Sequence, residues 1–135
     1  MAVYLANTGV LTVNAVDLST LVSNVTINRA FDELEVTALG DSGHKYVKGL
    51  ESSSISIDFY NDSASAKTLQ TLQTTWGQNV TVTFKQTSDA TSATNPLYTM
   101  TCLINNTTPV NGAVGDLSTQ SVTWNVSGTI AVTTS

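Results

Sequence analysis

The sequence predicts a mainly β fold: a β-sandwich or barrel-like domain of about seven strands with one α-helix packed on it. Three observations carry this reading. The chain has 135 residues, a length that suits one domain, here 1–135, with a single core covering roughly two-thirds of the unfolded surface. Only 11% of residues are charged, against about 25% in an average globular domain. Thr and Ser fill the gap, and Thr suits strands where Lys, Glu and Ala would suit helix surfaces. Finally, apolar residues recur with period two along most of the chain and with helical spacing only once.

The elements follow in order. Val3 to Leu5 and Val10 to Val16 read as short strands parted by the turn signal Asn7-Thr8-Gly9, so residues 1–19 form an N-terminal arm or edge strands. Leu21 to Asn28 alternates, with Val25 and Ile27 on one face. Residues 29–49 then gather Arg29, Asp32, Glu33, Glu35, Asp41, Lys45 and Lys48 around Gly40, Gly43 and Gly49. Leu34, Val36 and Ala38 alternate with Glu35, Thr37 and Leu39 inside this stretch, which makes it a long loop or hairpin. Excursions of that length in a compact domain are usually functional or mobile.

Ser53 to Tyr60 is the cleanest strand, with Ile55, Ile57 and Phe59 on one side. Asn61-Asp62-Ser63 supplies N-cap candidates for a helix spanning 63–76. Its apolar stripe is Leu69, Leu72 and Trp76, and Gly77 follows at the C-terminal end. Val80, Val82 and Phe84 mark the next strand, a polar loop spans Thr87 to Pro96, and Tyr98, Met100, Cys102 and Ile104 form one face of another strand. After a turn-rich stretch from Pro109 to Gly115, Leu117 to Val126 closes the pattern, and Ile130 and Val132 prolong it past Gly128. Trp76 and Trp124 fall on apolar faces and read as core.

Charge and chemistry exclude several functions. Ten acids against five bases leave a net charge of −5, the wrong sign for gripping phosphates. So little surface charge is also poor insurance against association, unless neighbours cover the surface. Cys102 is the one cysteine, so no intrachain disulfide forms, and its place in a strand reads as a buried, inert thiol. No basic-then-apolar leader and no membrane-length apolar run are present, which points to a chain made in a cytoplasm. The six sequons at Asn24, Asn61, Asn79, Asn105, Asn106 and Asn125 are therefore read as by-products of a Thr- and Asn-rich composition.

Catalysis finds no support. His44 is the only histidine, and Asp41, Ser42 and His44 are too close in sequence to converge as a triad. One His and one Cys at distant positions fit no zinc spacing, and no Gly-rich loop opens a helix after a strand. The expectation is a non-enzyme without metal or cofactor. Phe31 and Tyr46 stand apart, because both lie in the charged excursion without periodic apolar neighbours. Aromatics flanked by Arg29 and Lys48 have the composition of an interface.

Four phrases in order give the chain a likeness. These are Asp32-Glu33-Leu34-Glu35-Val36-Thr37 with Gly40-Asp41-Ser42-Gly43-His44-Lys45; Gly49-Leu50 entering Ser53 to Tyr60; the single helix; and Val114-Gly115-Asp116-Leu117-Ser118-Thr119 running into Val122-Thr123-Trp124 and Ser127-Gly128. Across most of residues 20 to 130 this ordered set resembles the tail tube (major tail) proteins of long-tailed, lambda-like bacteriophages. The resemblance implies a virion protein, assembled in the bacterial cytoplasm, whose subunits form hexameric rings stacked into a tube. It implies partners among other tail proteins (terminator, tape measure, baseplate or tip initiator) and DNA that passes through the lumen without specific binding. It also implies that residues 29–49 reach a neighbouring subunit, with Arg29, Phe31, Asp32, Glu33, Tyr46 and Lys48 at the interface and Met1 to Val10 as a second contact. A capsid decoration or head–tail connector subunit is the main rival, a lectin-like adhesin would need an export signal, and a hydrolase would need residues that are missing.

Overall fold

The computed structural model describes residues 8–135, and the strand expected at Val3 to Leu5 and the contact expected from Met1 onward lie outside them, as far as Asn7. Ten strands are present among the described residues: β1 (Val10–Val13), β2 (Val16–Asp17), β3 (Val22–Asn28), β4 (Phe31–Glu35), β5 (Tyr46–Glu51), β6 (Ser54–Tyr60), β7 (Asn79–Lys85), β8 (Leu97–Leu103), β9 (Thr119–Asn125) and β10 (Ala131–Thr133). One α-helix, α1, spans Thr68–Thr74. The fold is mainly β, consistent with a sandwich carrying one helix.

Two antiparallel sheets build the body. The larger is ordered β10-β8-β7-β1-β2 and the smaller β3-β6-β9. Period-two alternation turns Ile55, Ile57 and Phe59 of β6 and Val122 and Trp124 of β9 inward, against Leu11, Val13, Val80, Val82, Met100 and Cys102 of the larger sheet. The Phe59 and Trp124 rings lie 6.2 Å apart at a tilt, a favourable aromatic geometry. Past its end β9 changes sheets. Val126 pairs with Cys102 of β8, and the Ser127 amide donates to the Thr101 carbonyl at 2.7 Å. The sandwich is thereby closed at one corner. Cys102 is fully buried there, and burial pushes its thiol up to about 11, so it is a poor nucleophile.

The outer sheet faces explain the low charge of the chain. Thr12, Thr81, Thr83, Thr99 and Thr101 occupy register positions on the larger sheet, where the Thr12 and Thr83 hydroxyls bond to each other. On the smaller sheet Ser56 meets Thr123 at 2.9 Å. Hydroxyls do the work that charged side chains do on most sheets.

Several expectations need correction. Val10 to Val16 is not one strand but a tight hairpin, because Asn14 and Ala15 take positive φ (52° and 66°) and pair Val13 with Val16. Ile130 and Val132 do not prolong β9. Gly128 turns at φ 98°, Ile130 drops into the core, and β10 joins the larger sheet beside β8. The helix is seven residues long rather than spanning 63–76, and the Asn61-Asp62-Ser63 cap does not form. Asp62 instead accepts the Ala64 amide, Asn61 bonds Ser118, and Lys67 stands at the N-cap without a side-chain cap.

The buried stripe of α1 and its C-cap is Thr68, Thr71, Leu72 and Thr75 rather than Leu69, Leu72 and Trp76, and Trp76 is half exposed rather than core. Helical spacing holds, but the stripe is displaced by one residue at both ends. Thr can face the core because its hydroxyl finds a carbonyl: Thr68 donates to Tyr60 at 3.0 Å and Thr75 to Thr71 at 2.8 Å. The Thr71 hydroxyl is the exception, with no partner among the described residues although the side chain is buried. A buried orphan hydroxyl costs about 1–3 kcal/mol. Thr71→Val keeps the shape and removes the orphan, so the melting temperature is expected to rise by roughly 3–5 °C in a thermal melt followed by circular dichroism.

Candidate assembly interface

The three-stranded sheet does not stop where the core stops. Asn28 pairs with Ser54, the Ser52 amide donates to the Ala30 carbonyl at 2.7 Å, and Phe31 pairs with Glu51. The β3–β6 ladder therefore runs on as the β4–β5 hairpin, a single antiparallel ribbon whose inner half lies on the core and whose outer half leaves it. Five residues of β4 at strand rise carry the ribbon roughly 17 Å further, before the tip. Every residue of β4 is exposed, and β5 is exposed except at Gly49 and Glu51.

Register divides the hairpin's side chains between two faces. Glu33 lies opposite Lys48 and Glu35 opposite Tyr46, so Phe31, Glu33, Glu35, Tyr46 and Lys48 share one face. The Lys48 ammonium sits 5.5 Å from the centre of the Phe31 ring, a cation–π contact. His44 places Nδ1 at 2.8 Å from a Glu35 carboxylate oxygen and its ring 6.4 Å from that of Tyr46. The opposite face carries Leu34 across from Val47, with Val36 beyond; each is about half exposed.

Local chemistry shapes the ribbon. A bulge between Phe31 and Glu33 gives β5 an extra residue, and Gly49 sits at it. A Cβ on Gly49 would meet the Asp32 carbonyl oxygen at 2.8 Å, so only glycine lets the strands approach there. At the tip the Asp41 amide donates to Ala38, the Asp41 carboxylate accepts the Ala38 amide at 2.7 Å, and Lys45 pairs with Asp41 at 2.9 Å. At the root Glu51 accepts the Ile130 amide at 2.9 Å and the Ser53 hydroxyl at 2.8 Å, which ties the hairpin to the turn before β10. Those two donors, Ile130 first, hold the Glu51 carboxyl below its ordinary value. For Glu35 the His44 contact comes first and the Thr37 hydroxyl second, again in the lowering direction.

All six residues singled out from the sequence are exposed, and the structure places four of them together: Phe31, Glu33, Tyr46 and Lys48. Asp32 lies opposite, at Gly49. Arg29 stays at the root, on the rim of a cavity of about 320 Å³ between the sheets, with Val25, Ile27, Phe84, Gln86 and Tyr98. The aliphatic face of the ribbon, Leu34, Val36 and Val47, was not singled out for an interface, although its alternation with acids is plain in the sequence.

A second exposed apolar group lies at the other end of the three-stranded sheet. Antiparallel pairing puts Asn28, Ser54 and Asn125 at the hairpin end and Val22, Tyr60 and Thr119 at the far end. The loop entering Thr119 carries Val110, Val114 and Leu117, which are 90%, 106% and 70% exposed. It is held rather than free. Buried Gln120 accepts from the Thr107 hydroxyl and the Thr108 amide and donates to Asn61, while Ser118 bonds Asn111.

Among the described residues no three His, Cys, Asp or Glu side chains gather as a metal site, and no helix is long and apolar enough to cross a membrane. No protein-family model and no curated protein matches the chain.

Two outcomes are expected for the hairpin. Because Glu35 has a lowered folded value, its contribution to hairpin order is present above the unfolded value and is lost as pH falls through the folded one. Its carboxyl titration, followed by NMR, is expected to have a midpoint below that of a free Glu, and His44→Ala is expected to raise it. Gly49→Ala is expected to increase amide exchange across β4 and β5 while leaving the exchange of β6 and β9 unchanged, since the clash lies outside the core.

Proposed function

We propose that this chain is a structural virion subunit that assembles with copies of itself, as the phage tail tube proteins it resembles do, into stacked hexameric rings forming a conduit for DNA. The observation that carries the reading is the β4–β5 ribbon, which leaves the core with both faces exposed. An isolated two-stranded hairpin is marginal in water, and this one bears Phe31, Leu34, Val36, Tyr46 and Val47 as half-exposed groups and Leu39 fully exposed at the tip. Such a surface is suited to burial against a partner.

Geometry supports an open-ended polymer. The ribbon leaves one end of the three-stranded sheet and the Val110, Val114 and Leu117 loop stands at the other, about 24 Å away for seven strand residues. Contacts between unlike ends of one subunit are heterologous, and they propagate. The negative net charge and hydroxyl-lined sheet faces suit a channel that nucleic acid passes without being held.

Negative-stain electron microscopy with light scattering tests this. Rings or hollow tubes are expected for the wild type. Replacing Phe31→Ser and Tyr46→Ser is expected to raise the concentration needed for assembly at least about tenfold without changing the fold, as losing anchor aromatics does. A monomer that binds empty capsids would overturn the tube and favour a decoration or connector subunit.

A further inference from the structure

The projecting hairpin is joined to the body by few contacts. Between the Asn28–Ser54 pair of the core ladder and the Phe31–Glu51 pair of the hairpin lie Arg29, Ala30, Ser52 and Ser53, which belong to no strand. Among the described residues one backbone bond crosses this joint, from the Ser52 amide to the Ala30 carbonyl. The side-chain tie is Glu51. One oxygen of its carboxylate, Oε2, accepts both the Ile130 amide at 2.9 Å and the Ser53 hydroxyl at 2.8 Å. Both donors are anchored. Ile130 is buried in the core, and Ser53 is buried just before β6, with its carbonyl taken by the Val126 amide at 2.9 Å. A hydrogen bond to an ionised acceptor is the stronger kind, and the Arg29 and Lys48 charges favour the ionised form here. Ile130 leads directly into β10, a three-residue strand at the edge of the larger sheet, exposed throughout and paired with β8. A short, exposed edge strand is among the first elements of a fold to open.

We propose that Glu51 is a latch that couples the angle of the hairpin to the docking of β10. With β10 seated on β8, the Ile130 amide is held where the Glu51 carboxylate takes it, and the ribbon continues the β3–β6 ladder. With β10 displaced, that donor withdraws and the ribbon swings about Ala30 and Ser52. The coupling runs both ways, so loss of the latch also loosens β10. Leverage makes the angle matter. A ribbon roughly 17 Å long moves its tip by about 3 Å for a rotation of about 10°, which redirects Leu39 and the exposed faces of β4 and β5. The contacts lie within one chain, so the latch stands whether or not copies assemble.

Distance measurements between two spin labels in dilute protein test this. One label goes on Ser42→Cys at the hairpin tip and one on Ser121→Cys of β9; both positions are exposed, and Cys102 is buried away from the reagent. The otherwise unaltered chain is expected to give one narrow distance. Glu51→Ala is expected to broaden it and to make the Ile130 amide exchange at least about tenfold faster. Val132→Pro, which disrupts β10 without touching Glu51, is expected to broaden the distance too. Adding Val132→Pro to Glu51→Ala is expected to broaden it no further, because the coupling between the two sites is already gone. If Val132→Pro loses the near-ultraviolet signal of Trp124, Val132→Gly takes its place, since it weakens the strand more gently. A distance that stays narrow in Glu51→Ala or in the β10 variant overturns the latch, as does an unaltered chain whose distance is already broad. Further broadening in the double variant also overturns it, because β10 then acts on the hairpin by another route. Each of these results leaves the self-assembly reading to its own test.

Discussion

The alternation of β6 governs the rest of the molecule. Ile55, Ile57 and Phe59 are all buried, and a slip of one residue would turn all three to solvent and bring Ser56 and Asp58 into the core. The register of β6 against β3 is thus held by core burial, and the same ladder continues through Ser52 and Ala30 into the exposed hairpin. Side chains that touch nothing in the core therefore take their facing from it. Phe31, Glu33, Tyr46 and Lys48 share a face because Ile55 and Ile57 cannot be moved, and the bulge at Gly49 is the one local adjustment.

Beyond that ribbon, neutral polar groups hold the surface together. Asn95 is buried and organises the loop between β7 and β8, donating to the Thr87 and Asp89 carbonyls and accepting the Thr87 amide. Gln120 does the same for the loop between β8 and β9. Such networks need no counter-charge, which is how a domain with 11% charged residues keeps long loops ordered. Charge is concentrated instead in the projecting hairpin, where it gives direction to any contact the hairpin makes.

The sheet strands were legible because a half-buried strand writes its burial into every second residue. Leu21 to Asn28, Ser53 to Tyr60, Val80 to Lys85 and Leu97 to Ile104 all match strands of the structure within a residue or two. The excursion at 29–49 was legible as a charged, glycine-punctuated loop or hairpin, and the β4–β5 pairing decides for the hairpin. The helix was misread because three of the four buried positions of the helix and its C-cap are Thr, two of whose hydroxyls are satisfied by carbonyls that no periodicity reveals, and because Trp76 lies beyond the last turn. The Asn14-Ala15 turn carries no glycine to announce it.

By itself, then, the sequence determined the β class, the strands with one buried face, the inert place of Cys102 and the site of the charged excursion. Those properties follow from local alternation and composition. Tertiary structure alone decided that β10 crosses to the larger sheet, that the hairpin extends the β3–β6 ladder rather than folding back on the core, and that Val110, Val114 and Leu117 stand at the opposite end. These depend on pairings between segments distant in the chain, and the free energy that selects them comes from burial shared among strands, which no single stretch of sequence contains.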